Sequence, residues 1–499
     1  MQTVWVIAGL DSSGCAGIAA DVKTLQSMGV HGSVVTTALT VQSAAHAKQQ
    51  HVYTTSDLFQ ATLSCLQQAG HPHAIKMGML GNVQLIPLLQ ACVSQFPAVP
   101  VILDPVLFTS SGVPLFNGTL SAYLQHLRHL FAYVTVLTPN WMEAEQLTGL
   151  SITTLDDIPK IARALLMQGI QSVYIKGGHG ASPEWSYDYW TNGKAAFWLS
   201  SPRYAGTYRG TGCTFASSLA AAFALGYAIE DAVVLAKMSV NRSIRAAEGV
   251  YLMQRAAYTA DDLPYVSDQP VFAKPTVFPA CTEWPFGLYP IVDRASWLPR
   301  LFARGVRVAQ LRIKDLQGEA LRAELITGIQ CARDYGAQLF VNDYWELAIE
   351  LGAYGVHVGQ TDGDQVDFAC LRRANMRLGM STHGFATAAR AHTVGPSYMA
   401  LGPIFETQSK KTAVYAFGDV DRVGHYASHG LSLLTQYVNI MPYPVVAIGG
   451  ILRHNYRDVC ATGVGGIAMI SAITQAVDPE EAVDYFCKSF SEVKEGICP

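Results

Sequence analysis

Short apolar runs that end in polar residues recur along the second half of the chain. The runs are LYPIVD (288–293), AQLRIKD (309–315), QLFVNDY (338–344), YGVHVGQ (354–360), RLGMSTH (377–383), YMALGPIF (398–405), PVVAIGG (444–450) and GGIAMIS (465–471). Continuous apolar strands that alternate with helical stretches are typical of a parallel sheet buried on both faces. Eight such strands predict a closed (β/α)8 barrel. The active site of such a barrel lies at the carboxyl ends of the strands, which is where the polar residues fall.

The first half of the chain alternates between strand and helix patterns as well. Strands are predicted at VWVIAG (4–9), SVVTTALT (33–40), AIKMGML (74–80), VPVILDP (99–105), YVTVLTPN (133–140) and SVYIKGG (172–178). The last helix is predicted to begin in the Ala-rich segment 210–226. This order favours an open α/β sheet with helices on both faces and with ligands at the carboxyl ends of its strands.

A proline-rich segment separates the two halves. Residues 262–286 show neither helical nor alternating periodicity, which is typical of an extended linker. A chain of 499 residues is also too long for a single hydrophobic core. We therefore predict one domain over residues 1–262, a linker over 263–286 and a second domain over 287–499.

The composition excludes several classes of protein. The net charge is -4 and only 14% of residues are charged, which argues against nucleic acid or an anionic membrane surface as a partner. No apolar stretch is long enough to cross a membrane, and the N-terminus lacks a signal-peptide pattern. The 10 cysteines form no CxxC pair, so reduced thiols are expected and zinc is not. These features predict a cytoplasmic enzyme of small molecules and leave open whether it forms a homo-oligomer.

A glycine-containing turn opens the Ala-rich helix of the first half. In Gly210-Thr211-Gly212-Cys213-Thr214, glycine lets successive N–H groups and the helix dipole face one point. Such a concavity binds anions, above all phosphate. By itself the turn is weak evidence, because glycine also serves as a simple cap.

Seven motifs in order give a more specific indication. AGLDSSGCAGIAAD (8–21), LTVQ (39–42), KMGML (76–80), LDPV (103–106), TPNWMEAE (138–145), KGGH (176–179) and GTGCT (210–214) resemble the hydroxymethylpyrimidine/phosphomethylpyrimidine kinases of the ribokinase-like fold, over about residues 1–260. The resemblance implies MgATP-dependent phosphorylation of 4-amino-5-hydroxymethyl-2-methylpyrimidine and then of its monophosphate. Cys15 and Arg209 depart from the usual pattern, which has a second glycine and a small polar residue there.

The resemblance assigns roles to residues of the first domain. Cys213 would be the general base, with its pKa expected to fall at a helix N-terminus, although a small residue that merely fits a tight turn is the alternative. Lys176 would neutralise the transferring phosphoryl group. The pyrimidine pocket would be lined by Gly9, Asp21, Gln42, Met79 and Val106, and ATP with its magnesium would be held by Asn140, Glu143, Gly210, Thr211 and Gly212.

The strand ends of the second half carry cations, amides and acids. Alternation places Gln310, Arg312 and Lys314 on one side of a strand, where two cations require an anionic ligand. Asp343 and Asp362 leave different strands and could both reach one magnesium ion, which prefers carboxylates together with phosphate oxygens. The alternative is a salt-bridged cluster without a ligand.

The motifs QLRIKD, NDYWELA, GVHVGQTD, GMSTH, ALGPIFETQSKK, VVAIGGI and GGIAMISAI resemble thiamine phosphate synthase over about residues 287–475. By this resemblance Asp343 and Asp362 hold magnesium, and Arg312 and Lys410 stabilise the leaving diphosphate. Ser381 contacts the pyrimidine amino group. Further substrate contacts are implied for Gln310, Lys314, Asn342, Thr407, Ser409, Gly449, Ile470 and Ser471.

The two halves predict consecutive reactions, because the kinase would make the pyrimidine diphosphate that the barrel consumes. The fold class expected is α/β, with a ribokinase-like open sheet followed by a TIM barrel. Two alternatives stay open: a first half that is a pyridoxal-type vitamin kinase, or one that is an inactive regulatory module beside an active synthase.

Overall fold

The computed structural model describes residues 1–43, 46–109, 112–178, 180, 182–359, 366–406 and 423–495, with the side chains of 41–43, 46–51 and 423–429 left out of the description. The chain divides into two compact units, Met1–Ala273 and Lys274–Pro499. Each unit is described by itself below.

The first unit is built on an open sheet. Its described strands are β1 (Thr3–Asp11), β2 (His31–Ser43), β3 (His46–Tyr53), β4 (Ala74–Met77), β5 (Val101–Leu103), β6 (Val136–Leu137), β7 (Val173–Ile175), β8 (Trp185–Thr191), β9 (Ala196–Pro202) and β10 (Tyr265–Ser267). They pair in the order β10-β9-β8-β7-β6-β5-β4-β1-β2-β3. The central strands from β2 to β7 are parallel, and the strands at both edges are antiparallel. The carboxyl ends of the parallel strands therefore share one edge of the sheet.

Helices connect the parallel strands of this sheet. The described helices are α1 (Gly17–Ser27), α2 (Ser56–Ala69), α3 (Leu85–Val93), α4 (Leu120–Leu127), α5 (Trp141–Thr148), α6 (Ile158–Leu166), α7 (Thr211–Ala224) and α8 (Ile229–Arg245). Alanine is frequent in α7, and nearly every residue from Thr214 to Ala224 is buried. Because alanine side chains are small, α7 packs closely against α1, α8 and β4, which fixes its N-terminus beside the carboxyl ends of the strands.

The second unit is a closed parallel barrel. Its described strands are β11 (Gly287–Val292), β12 (Val308–Leu311), β13 (Gln338–Asn342), β14 (Gly355–Val358), β15 (Arg377–Thr382), β16 (Tyr398–Leu401), β17 (Val445–Ile448) and β18 (Gly466–Met469). Neighbours in sequence are neighbours in space, and β18 closes the ring on β11 with Gly287 opposite Gly466.

The described helices of this unit are α9 (Leu298–Phe302), α10 (Gly318–Asp334), α11 (Trp345–Glu350), α12 (Phe368–Arg373), α13 (Phe385–Val394), α14 (Val423–Ile440), α15 (Tyr456–Ala461), α16 (Ser471–Thr474) and α17 (Pro479–Lys494). None of the helices in the described part of the chain combines the length and the apolar character that a membrane crossing requires.

Aromatic rings fill the inside of the barrel. Tyr289, Phe340 and Tyr398 are buried there with Phe286, which closes the amino-terminal end. A Cβ at Gly379 would lie 2.2 Å from Cζ of Tyr398, so this inward-facing position must be glycine for the ring to cross the barrel. Large aromatic rings on some strands thus fill the core of the barrel, and glycine on a neighbouring strand leaves the space that they need.

The predicted fold class, an α/β chain with an open sheet followed by a TIM barrel, is confirmed. Three details differ from expectation. β3, β8, β9 and β10 extend the sheet beyond the predicted strands, and α8 follows the helix expected to be last. β10 lies within residues 263–286, which the sequence assigns to a linker, because a three-residue edge strand between prolines carries almost no periodicity.

Candidate active sites

Two loops meet backbone to backbone at the start of α7. Gly210 has φ +82°, and a Cβ there would lie 2.1 Å from the carbonyl oxygen of Cys15. Gly17 has φ +59°, and its Cβ would lie 2.2 Å from the carbonyl oxygen of Gly9. Both positions therefore require glycine, and the first loop is held against the N-terminus of α7.

A buried ion pair borders the same helix N-terminus. Lys176, which follows β7, places Nζ 2.6 Å from Oδ1 of Asp104, which follows β5. A Cβ on Gly212 would lie 3.1 Å from Lys176 Nζ, so the ammonium stands against the first turn of α7. Burial disfavours the charged ammonium, but Asp104 and Glu143 outweigh it and raise the pKa of Lys176. The site thus holds a permanent positive charge beside free helix N–H groups.

Asn140 and Glu143 form a capping box at the start of α5. The backbone N–H of Glu143 donates to Asn140 Oδ1 at 2.9 Å, and that of Asn140 donates to Glu143 Oε2 at 2.8 Å. Burial raises the pKa of Glu143 to about 7; Lys176 acts in the opposite direction, and the nearby charge of Asp104 adds to the rise. The carboxylates of Glu143 and Asp104 and the ammonium of Lys176 therefore influence one another's pKa.

Cys213 faces the first loop from the first turn of α7. The backbone N–H of Gly17 donates to Sγ at 3.4 Å. Burial raises the pKa of the Cys213 thiol to about 11, against the lowering influence of Lys76. The expectation of a lowered pKa is wrong here, because loss of solvent and the charges of Asp21 and Asp104 outweigh the lowering influences of Lys76 and the Gly17 N–H.

A second ion pair lies beneath this site. Lys76 Nζ is 2.8 Å from Asp21 Oδ2, and neither side chain is exposed to solvent. Ser217 Oγ donates to Asp21 Oδ1 at 2.8 Å, which ties the pair to α7. Both oxygens of Asp21 thus already have donors within the protein. Burial opposes the charge of Lys76, but Asp21 and Cys213 raise its pKa.

An apolar pocket adjoins the first loop. Met79 packs with Ala38, Tyr53 and Val106 in one cluster. A Cβ on Gly9 would lie 3.0 Å from Met79 Sδ, so the backbone of Gly9 forms part of the wall. Such a surface suits a flat ring.

Three polar side chains converge at the mouth of the barrel. Asp343 follows β13 with φ +65°, a conformation that Asp and Asn tolerate better than other side chains. Its Oδ2 lies 2.5 Å from Lys314 Nζ and accepts a hydrogen bond from Asn342 Nδ2 at 2.5 Å. The unusual backbone conformation thus turns this carboxylate toward the residues that follow β12.

Arg312 lines a cavity of about 450 Å³ at the same end of the barrel. The cavity also contains Asp293 and the end of β18 at Ile470. Gly449, with φ +97°, closes against Pro403, because its Cβ would lie 2.7 Å from Pro403 Cα. Ser471 begins α16 next to Ile470. Arg312, Asp293 and Ile470 therefore line a space large enough for a phosphorylated ligand.

Comparisons with known proteins assign both units to families. Residues 11–256 match the family described as phosphomethylpyrimidine kinase, and residues 288–473 match the family described as thiamine monophosphate synthase. Over 203 residues the chain is 48% identical to the thiamine-phosphate synthase of Serratia proteamaculans, covering 41% of this chain and 90% of that protein. The chain belongs to the thiamine-phosphate synthase family. It joins a phosphomethylpyrimidine kinase domain to a synthase domain and is an enzyme of thiamine biosynthesis with both activities.

Other relatives are similar to one domain each. The thiamine-phosphate synthase of Yersinia pestis is 44% identical over 206 residues, 41% of this chain and 90% of that protein. A phosphomethylpyrimidine kinase structure from Clostridium difficile 630 has 28% identity and a TM-score of 0.43, covering 49% of this chain and 100% of that one. A Staphylococcus aureus pyridoxal kinase in complex with AMP-PCP and pyridoxal has 29% identity and a TM-score of 0.47, covering 54% of this chain and 98% of that one.

The structure groups most of the sequence-predicted residues of the kinase domain. Gly9, Met79 and Val106 share the apolar pocket, and Lys176 and Glu143 border the start of α7 with Cys213. Asp21 lies below them, fully buried. Gln42 belongs to β2, and its side chain lies outside the described residues.

In the synthase domain the predicted residues fall into three groups. Lys314, Asn342 and Asp343 are in contact, and Arg312 shares a cavity with Ile470. Gln310 and Ser381 belong to a hydrogen-bonded network inside the barrel. Four further predicted residues lie outside the described part of the chain, namely Asp362, Thr407, Ser409 and Lys410.

Both sites contain oxygen donors suited to magnesium. Asp104 and Glu143 face Lys176 in the kinase domain; burial raises the pKa of Glu143 and the charge of Asp104 adds to the rise, so a hard cation bound here would favour the ionised carboxylates. In the synthase domain Asp343 offers a carboxylate beside the amide of Asn342. Among the described residues no three His, Cys, Asp or Glu side chains form a metal-binding group, so the fit relies on phosphate oxygens and water as further ligands.

Sequence reasoning missed several polar residues of these sites. Lys76 and Asp104 lie within quoted motifs, but their ion pairs join residues 55 and 72 positions apart. His357 lies in β14, where its buried ring was assigned no role. Alternation along the strand could have placed His357 inside the barrel, whereas the two ion pairs depend on the tertiary fold.

Proposed function

We propose that the kinase domain transfers the terminal phosphoryl group of ATP to 4-amino-5-hydroxymethyl-2-methylpyrimidine and then to its monophosphate. The synthase domain then joins the resulting diphosphate to thiazole phosphate, giving thiamine phosphate and pyrophosphate. The residue roles given below are part of the same proposal.

In the kinase domain, the apolar pocket of Gly9, Met79 and Val106 holds the pyrimidine ring, together with Gln42. Asp21 acts from beneath by keeping Lys76 in place. The amides of Gly210, Thr211 and Gly212 and the ammonium of Lys176 face the transferred phosphoryl group, whose negative charge they stabilise. Asn140 and Glu143 would hold magnesium together with the nucleotide, and the cation would supply positive charge that offsets the charge of the phosphates.

Cys213 is proposed as the base that accepts the proton of the substrate hydroxyl. Its thiol pKa of about 11 leaves little thiolate at neutral pH, but the thiolate that forms is a strong base. The ammonium of Lys76 lowers the energy of that thiolate. The pH dependence of the kinase reaction therefore tests this role directly.

In the synthase domain, Asp343 holds magnesium together with Asp362. Arg312, Lys314 and Lys410 stabilise the leaving diphosphate, and Gln310 and Asn342 assist in binding it. Ser381 contacts the pyrimidine amino group. The thiazole phosphate is bound by Thr407, Ser409, Gly449, Ile470 and Ser471. Magnesium, when bound, supplies Lewis-acid stabilisation of the diphosphate.

The observation that supports the synthase proposal best is the contact of Asp343 with Lys314 and Asn342 at the carboxyl end of the barrel, where such folds carry their chemistry. The test is a single incubation of purified chain with hydroxymethylpyrimidine, thiazole phosphate and MgATP. Thiamine phosphate is the expected product, and its absence refutes the proposal.

Two control reactions separate the domains. Supplying the pyrimidine diphosphate directly bypasses the kinase, so product that appears only then locates the failure in the first domain. Pyridoxal offered in competition with hydroxymethylpyrimidine tests substrate choice, and preferential phosphorylation of pyridoxal contradicts the proposed kinase substrate.

A cytoplasmic location is proposed as well. It is supported by the described cysteines, all of which are free thiols in this structure. Labelling of intact cells with a membrane-impermeant thiol reagent tests it, with no modification expected.

A further inference from the structure

A chain of hydrogen bonds crosses the inside of the synthase barrel and ends at its mouth. Gln310 Nε2 lies 3.3 Å from the hydroxyl of Tyr289, which lies 2.7 Å from the hydroxyl of Tyr398. Nδ1 of His357 is 2.8 Å from the Tyr398 hydroxyl, and its Nε2 is 2.9 Å from Ser381 Oγ. All of these side chains are buried except Ser381, which is partly open to solvent.

The packing holds the rings of this chain in one arrangement. The rings of His357 and Tyr398 stack with centroids 5.6 Å apart and an interplanar angle of 24°. Phe340 meets Tyr398 edge to face at 5.1 Å. Gly379 leaves the space that the Tyr398 ring occupies. Neither ring can turn without displacing its neighbours, so the hydroxyl and imidazole nitrogens have fixed positions.

The hydrogen bonds of this chain can all run in one direction, from Gln310 to Ser381. Burial raises the pKa of Tyr289 and Tyr398, so both remain phenols. The amide nitrogen of Gln310 donates to the oxygen of Tyr289, and the Tyr289 proton can then be donated to Tyr398. In the arrangement that gives each group one donor and one acceptor, Tyr398 donates to Nδ1 of His357. The imidazole proton then resides on Nε2 and is donated to Ser381 Oγ.

We propose that this chain of Gln310, Tyr289, Tyr398, His357 and Ser381 orients the Ser381 hydroxyl toward the pyrimidine edge, which makes Tyr398 and His357 positioning residues of the synthase reaction. Because Ser381 accepts from His357, its own proton points away from the barrel interior and one lone pair stays open. A hydroxyl arranged in this way can accept from an exocyclic amino group and donate to a ring nitrogen beside it. The inference rests on the proposed contact of Ser381 with the pyrimidine.

The substitution Tyr398→Phe tests the chain, because it keeps the ring and removes only the oxygen between Tyr289 and His357. We expect the KM for the pyrimidine diphosphate to rise roughly fivefold, the effect of one lost orienting hydrogen bond, with the KM for thiazole phosphate unchanged. Tyr456→Phe is the matched control, since Tyr456 is also buried and donates to the carbonyl of Phe486 at 3.2 Å, away from this chain. Tyr289→Phe serves as a second variant if Tyr398→Phe does not fold.

Nitrogen NMR of ¹⁵N-histidine protein gives an independent measurement, with His357→Gln used to assign the signals. Wild-type His357 should carry its proton on Nε2 alone, and Tyr398→Phe should show a mixture of tautomers. A proton on Nδ1 in the wild type, or an unchanged pyrimidine KM in both tyrosine variants, overturns the inference. If wild-type protein makes no thiamine phosphate, the proposed function fails, and the tautomer still decides whether the chain has the stated direction.

Discussion

The ammonium of Lys76 and the carboxylate of Asp21, 55 residues apart in the chain, meet at 2.8 Å with no exposure to solvent. The pair joins β4 to α1 under the kinase site, and Ser217 connects it to α7. A charge left without its partner at this depth is far more costly than a lost surface ion pair.

Asp21→Asn should therefore destabilise the N-terminal unit by about 3 to 5 kcal/mol. Hydrogen exchange of peptides from β1 and β4 in the full chain measures this effect. Lys160→Met is the control, because it removes only the exposed pair with Asp157 and should cost less than about 1 kcal/mol. Equal protection in Asp21→Asn and wild type would show that the pair does not stabilise this unit.

Cys213 should react with iodoacetamide slowly at neutral pH and increasingly fast up to about pH 11, because burial raises the pKa of its thiol to that value. Mass spectrometry of the Cys213 peptide gives the rate, and the exposed Cys65 in the same sample reports on the reagent. The kinase rate should rise over the same interval if the thiolate is the base. A plateau by pH 8 for both would instead mean that the helix N-terminus dominates.

The stability of the N-terminal unit should depend on Glu143 between about pH 4.5 and 7. In the folded protein this carboxyl keeps its proton until about pH 7, whereas in the unfolded chain it releases its proton near its ordinary pKa of 4.5. Its stabilising contribution is therefore complete below pH 4.5 and is lost as the pH rises through 7. Glu143→Gln should flatten the dependence.

Hydrogen exchange of α5 peptides at pH 5 and pH 8 compares these variants, with the exposed Glu184→Gln as control. Added magnesium should protect wild type at pH 8 more than Glu143→Gln, since the cation offsets the same negative charge. Parallel pH profiles for wild type and Glu143→Gln would contradict the assignment.

Asp343→Asn should lower the synthase rate by at least about 100-fold, because an amide replaces the carboxylate proposed to hold magnesium. The left-handed conformation at φ +65° suits asparagine as well, so the fold should be kept. The reaction is measured with preformed pyrimidine diphosphate, and kinase activity in the same preparation should stay at the wild-type level. Asp315→Asn removes an exposed pair with Arg294 and serves as the control. Full activity of Asp343→Asn would exclude Asp343 as a metal ligand.

The fold could be predicted from the sequence largely because the strands of the barrel are short apolar runs. β14 was expected over 354–360 and spans Gly355–Val358. The hairpin of β8 and β9 was missed, although Asn192-Gly193 between aromatic runs is a recognisable turn. This turn signal lies within a few residues of the sequence, so the hairpin could have been predicted from it.

The sites were less predictable, because their geometry depends on distant contacts. Tyr289 and Tyr398 are 109 positions apart and meet only when the barrel closes. The motif around Cys213 identified the residue but gave the wrong direction for its pKa, since the burial of the thiol and the charges of Asp21 and Asp104 near it were not visible in the sequence. The sequence therefore identified residues of the sites but did not predict the burial and the charges around them.

The two units differ in how their sheets end. In the described part of the chain the barrel strands form a ring, so each has partners on both sides, whereas the open sheet terminates at β3 and β10. Val52 near the end of β3 is 68% exposed. A terminal strand has a neighbouring strand on one side only, and another chain can add to its open side. The kinase half is therefore open to self-association through added strands, including aggregation during refolding. The closed barrel protects the synthase half from this kind of association.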